Sequence, residues 1–145
     1  MGAGIVKTYE AITDYCGFPA IEAGKTMGLS PYGGPCDYIR PFFNNLGDMD
    51  LKYADNEYFT PRYPNGALFQ PFYEPEIRTF PGQKGVEGEN LWDLESRKNA
   101  AWRVQNDTQE QVLDLIRKAV RMTGQNNVVV AGGYGLNCVA NYWYC

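Results

Sequence analysis

Val128-Val-Val-Ala-Gly-Gly-Tyr-Gly-Leu-Asn137 is the stretch from which a fold class can be argued. Three β-branched residues in a row suit a strand buried on both faces. Gly132, Gly133 and Gly135 suit a tight turn, because glycine reaches positive φ without the penalty a Cβ brings. Cys138 to Cys145 then reads as the start of a helix, so the unit is buried strand, glycine turn, helix. A helix opening after such a turn presents unpaired N–H groups and a positive dipole end to an anion or nucleotide. The dinucleotide fingerprint G-x-G-x-x-G is not met, since counting from Gly133 puts Cys138 at its last position. A tight turn that only packs against a helix is the competing reading.

Upstream, Asn90 can cap a helix running to about Met122, with Asp93 and Glu95 near its positive end. Its apolar seam is Ala101, Val104, Thr108, Val112, Leu115, Ala119 and Met122, in steps of three or four. Arg117, Lys118 and Arg121 favour the negative end, and Gly124 closes it. At the other end of the chain, Ile5, Tyr9, Ile12 and Cys16 mark a first helix. Gly17 stands at its C-cap and Pro19 prevents continuation. The chain thus divides into a helix with a glycine-rich loop (1–33), an irregular, proline- and aromatic-rich insertion (34–89), and a helix–strand–turn–helix unit (90–145). The alternation predicts an α/β fold in a single partial domain.

Composition narrows function by exclusion. A chain of 145 residues is one domain's length. With 44% hydrophobic and 21% charged residues it is globular in character. The balance 13 − 17 = −4 leaves no basic excess for nucleic-acid phosphates. The absence of histidine removes His-based nucleophile activation and imidazole metal sites together. The four cysteines form no C-x-x-C pair, and no apolar run approaches a membrane span, so a cytoplasmic chain with reduced thiols is the expectation. Any chemistry would rest on carboxylates, lysines, backbone amides or a bound nucleotide.

Gly24-Lys25-Thr26 resembles the end of a phosphate loop, but Pro19 occupies the required glycine position and a helix, not a strand, precedes it. Lys25 is a candidate phosphate contact, the alternative being a solvated loop lysine. Asp48, Asp50, Asp55 and Glu57 lack calcium-loop spacing and read as solvated loop charge. No metal ligands and no catalytic side chain are assigned.

Three ordered blocks resemble the large domain of the carbamoyltransferases that act on nodulation factors and antibiotic sugars. The first is Gly4-Ile-Val-Lys-Thr-Tyr-Glu-Ala-Ile-Thr-Asp-Tyr-Cys-Gly17-Phe18. The second, Glu22-Ala-Gly-Lys-Thr-Met-Gly-Leu-Ser-Pro-Tyr-Gly33, is close to the family's Glu-Gly-Lys-Val-Met-Gly-Leu-Ala-Pro-Tyr-Gly. The third runs from Asn99-Ala-Ala-Trp-Arg-Val-Gln105 to Ala131-Gly-Gly-Tyr-Gly-Leu-Asn-Cys-Val-Ala-Asn141. The resemblance implies part of an actin-like ATPase fold of the ribonuclease-H-like, sugar-kinase type. It implies ATP-dependent transfer of a carbamoyl group from carbamoyl phosphate, through carbamoyl-adenylate, to a hydroxyl of a small molecule or sugar. Asn137, Gly132 and Gly133 would hold the nucleotide, Glu10 would take the place of a ribose-binding Asp, and Gly24 would line the same pocket.

The family's divalent-metal site uses a His-x-x-x-His pair, for which this sequence has no counterpart. The family's small carbamoyl-phosphate-processing domain also has no counterpart here. The chain is therefore expected to be an internal piece of a longer enzyme, whether as a truncated gene, a fragment or one part of a split protein. On that expectation the missing remainder of the enzyme is a possible partner. The alternative is a catalytically incomplete remnant that binds a nucleotide or a protein without turning anything over.

Overall fold

The computed structural model describes residues 5–36, 39, 42 and 95–145. Asn90, the acidic cluster at 48–57 and nearly all of the 34–89 insertion lie outside the described residues. Among the described residues there are α1 (Ile5–Tyr15), α2 (Ala23–Leu29), α3 (Glu95–Thr123) and α4 (Cys138–Tyr144). Short 3-10 turns lie at Ala20–Glu22, Ser30–Tyr32 and Gly133–Leu136. No helix among them is long and apolar enough to cross a membrane.

α1 is buried over most of its circumference: Tyr9, Ala11, Ile12, Tyr15 and Cys16 all belong to the core. Each large apolar side chain taken fully out of water, such as Ile12, contributes about 1.5–3 kcal/mol. The helix ends as its sequence predicts. Gly17 takes φ 91°, and the Phe18 N–H donates to the Thr13 carbonyl at 3.1 Å, closing the six-to-one bond of a glycine-terminated helix. Thr13 also joins α1 to α2. Its hydroxyl donates to the Tyr9 carbonyl (2.9 Å) and accepts from the Thr26 hydroxyl (2.9 Å), so both buried hydroxyls are satisfied.

α3 crosses this pair with Ala100, Ala101 and Val104 against the core. Gly33 runs so close to it that a Cβ there would collide with the Lys98 carbonyl. The Gly34 N–H donates to Asn99 Oδ1 at 2.9 Å beside that contact. In the first turn of α3, Arg97 is 1% exposed and stacks its guanidinium on the Tyr15 ring, 3.3 Å from the centroid. Burial pulls its pKa down to about 9. Further along, Asp107 Oδ2 accepts from the Phe42 N–H (2.8 Å), and Arg103 approaches the other oxygen at 3.8 Å.

Two expectations require correction. The α/β class does not hold: the described residues are helical and include no strand. Val128–Val130 lies in irregular backbone, and Val129 is 91% exposed. Propensity for a strand has effect only where a neighbouring strand completes the hydrogen-bond ladder, and no such neighbour exists among the described residues. The α3 seam is also only half used. Ala101, Val104 and Thr108 are buried, whereas Ala119 is exposed and Met122 is 71% exposed, the last buried position on α3 being Gln111.

Two glycines are expected to respond to alanine in opposite directions. Gly33→Ala should destabilise by about 1–3 kcal/mol through overpacking on Lys98. Gly28→Ala, in α2 with open space around it, should stabilise by about 0.5–1 kcal/mol. Urea denaturation of the two variants checks both signs. Burial raises the Asp107 pKa from 3.8 to about 6, so the folded state holds that proton more tightly than the unfolded chain. Its contribution is full below pH 4 and is lost as pH rises through 6. Asp107→Asn should flatten that part of the stability–pH curve.

Candidate functional site

α1, the 19–27 segment and the glycine turn meet around a cavity of about 450 Å3, within the range of small-molecule sites. Val6, Tyr9 and Glu10 form one wall from α1, spaced so that successive turns of the helix present them together. Ile21, Gly24 and Met27 form the second wall, and Gly133, Tyr134, Leu136 and Asn137 the third. Among the lining residues Glu10 is the single one with a charged side chain.

The glycine turn is tied down by side chains. Gly132 takes φ 98°, a conformation that suits glycine, and the Gly135 N–H donates to its carbonyl at 3.0 Å. The Tyr134 hydroxyl donates to Thr108 Oγ1 (2.9 Å), and its ring meets Tyr9 edge-on, with centroids 6.3 Å apart. Burial raises the pKa of both phenols, so both are neutral at physiological pH.

Behind this wall lies a buried amide network. The Tyr9 hydroxyl donates to Gln105 Oε1 at 2.6 Å. Asn137 Nδ2 donates to the same oxygen at 3.0 Å, and Gln105 Nε2 donates back to Asn137 Oδ1 at 3.2 Å. Gln105 Nε2 also donates to Gln109 Oε1. Asn137 is at the same time the N-cap of α4, its Oδ1 accepting from the Ala140 N–H at 3.0 Å.

Four of the six residues expected at a nucleotide site therefore line one cavity: Glu10, Gly24, Gly133 and Asn137. Gly132 and Lys25 do not line it. Gly132 supplies the bend behind Gly133. Lys25 faces solvent, pairs with Glu22 at 2.7 Å and lies over the Phe18 ring. Sequence reasoning missed Gln105 and Gln109. Their signal was positional, because Ala101, Gln105 and Gln109 share one i, i+4 row of α3 that faces the core, and a buried amide must find partners. Among the described residues no group of three His, Cys, Asp or Glu could hold a metal ion.

Over 135 residues the chain is 33% identical to the uncharacterized protein sll1178 of Synechocystis sp., a match that takes in 92% of this chain and 21% of that relative. The chain thus spans about a fifth of the length of the curated relative it matches. No family model matches the chain. No solved structure matches it either.

Asn137→Ala removes a helix cap and leaves half of the Gln105 amide without a partner. It should lower stability by about 2 kcal/mol in chemical denaturation. Leu136→Ala, at a neighbouring side chain 83% exposed, should change it by less than about 0.5 kcal/mol. Equal effects would contradict the network.

Proposed function

We propose that this chain supplies part of the nucleotide pocket of an ATP-dependent O-carbamoyltransferase. The reaction would pass a carbamoyl group from carbamoyl phosphate, through carbamoyl-adenylate, to a hydroxyl acceptor. One observation carries the reading: Glu10, Gly24, Gly133 and Asn137 come from three separate sequence blocks and meet on the wall of one cavity. The chemistry suits a nucleoside. A carboxylate accepts hydrogen bonds from ribose hydroxyls, glycines let backbone approach a ring closely, and Tyr9, Ile21 and Met27 supply apolar surface. An activated carbamoyl-adenylate asks a protein mainly for positioning and for stabilisation of developing charge. The described residues offer no metal ligand set, so no step is assigned here to the family's divalent ion.

A second reading is a nucleotide-binding module without turnover of its own. It is favoured by the cavity wall, where both tyrosines are held neutral and Glu10 is the single charged side chain.

Thermal unfolding with and without saturating ATP and magnesium tests binding, because a ligand stabilises the state that holds it. ATP is expected to raise Tm. Gly24→Leu should abolish that rise while leaving the unliganded Tm unchanged or higher, since the new side chain enters the cavity from a helical position with open space. A Tm indifferent to ATP in the parent chain would overturn the nucleotide reading. Carbamoyl transfer from carbamoyl phosphate, seen only when further polypeptide is supplied, would separate the enzyme reading from the module.

A further inference from the structure

Apolar side chains scattered singly over a surface are ordinary, but three that converge on one cavity call for a reason. Ile21 is 94% exposed, Leu136 83% exposed, and Val6 is exposed as well. All three line the cavity, one from each of its walls. None belongs to the hydrophobic core, so burial of these side chains contributes little to folding.

Their backbones are held while their side chains stand in solvent. Ile21 sits in the 3-10 turn Ala20–Glu22, closed by the Glu22 N–H donating to the Pro19 carbonyl at 2.7 Å. Leu136 ends the turn Gly133–Leu136, where the Asn137 N–H donates to the Tyr134 carbonyl at 2.9 Å. Val6 lies in the first turn of α1. Side chains carried on fixed backbone lose little freedom when a ligand settles on them, so more of the contact appears as affinity. The size of the cavity, about 450 Å3, suits a small molecule. Branched aliphatic side chains offer area without hydrogen bonds, and the Glu10 carboxylate on the same wall as Val6 accepts from hydroxyls. The ligand that answers both has an apolar face and a hydroxylated part.

We propose that Ile21 and Leu136 are ligand-contacting residues, which hold the base of a nucleoside by apolar contact at the mouth of the cavity. This rests on the nucleotide reading for the nature of the ligand, and on the convergence of exposed apolar side chains for the residues that touch it.

The test uses the whole chain. Ile21→Ala and Leu136→Ala should each weaken adenosine binding by about 10-fold in calorimetry, and binding of ATP with magnesium by the same factor, since the base is common to both. The unliganded Tm should not move, because neither side chain is packed in the folded chain. A core role would lower it. Ile21→Val, which keeps most of the apolar area, should recover most of the lost affinity. Val129→Ala, at a side chain as exposed but off the cavity wall, should leave affinity unchanged. Full affinity in both cavity variants, or an equal loss in Val129→Ala, would overturn the assignment and leave the nucleotide reading standing. Adenosine binding that the two variants weaken, in a chain indifferent to ATP, upholds the apolar mouth and removes the ATP reading. A parent chain that binds neither ligand overturns both. Self-association in sedimentation that Ile21→Ala abolishes and adenosine does not displace would give these side chains to a contact between copies, and also overturns the ligand role.

Discussion

A glutamine side chain shut away from water has four hydrogen bonds to satisfy, and the middle of this structure is arranged around one that does so. Gln105 is 3% exposed, and its partners come from α1, from its own helix and from the turn before α4. Residues 9 and 137, at opposite ends of the chain, are held through the same oxygen. The interaction is directional, so it sets angle and register where apolar packing alone sets only proximity. Tyr9 is held at the cavity by its hydroxyl, and Asn137 by an amide that also starts α4. The cavity wall is therefore a consequence of the core.

The long helix provides the frame for this arrangement. α3 buries small residues, Ala100 and Ala101, where α1 and the 30–34 segment cross it, and small side chains permit the approach that Gly33 completes. Polar residues follow along the same helix: Gln105, Thr108, Gln109 and Gln111 are all buried, which is unusual for their types. Thr108 is satisfied within its own helix and by Tyr134, whose hydroxyl donates to it. Arg97 is placed differently: its guanidinium lies over the Tyr15 ring near the C-terminal end of α1, where the helix dipole favours a cation, while its Nε and Nη1 have no hydrogen-bond partner among the described residues.

The electrostatics of the cavity suit binding more readily than proton chemistry. Both tyrosines keep their protons, Lys25 is turned to solvent and paired with Glu22, and the free thiol of Cys138 lies outside the wall, beside Met27. What remains is apolar surface, backbone, one carboxylate and one oriented amide. On the proposed nucleotide reading, such a site would fix a ligand's orientation and leave its reactivity to the ligand.

Local features were readable in advance where their physics is local. The first helix, its Gly17 terminus, the long helix through Arg121 and the helix after Asn137 follow from periodicity and from which residues cap. Candidate residues at 10, 24, 133 and 137 were legible by resemblance. Gln105 carried a positional signal, one turn after Ala101 on the same row of the helix, but its hydrogen-bonding role depends on partners 96 and 32 positions away. The run Val128–Val130 shows the opposite case, a strong local preference left without the neighbour that would make it a strand. The sequence by itself determined the end of α1, the C-terminal end of α3 and the start of α4, since capping and periodicity act within a few residues, whereas α2 forms in what reads as a glycine-rich loop. Only the tertiary structure decided how far along α3 the seam is buried, which amides pair and which four candidates share a cavity, since each of these depends on what stands opposite.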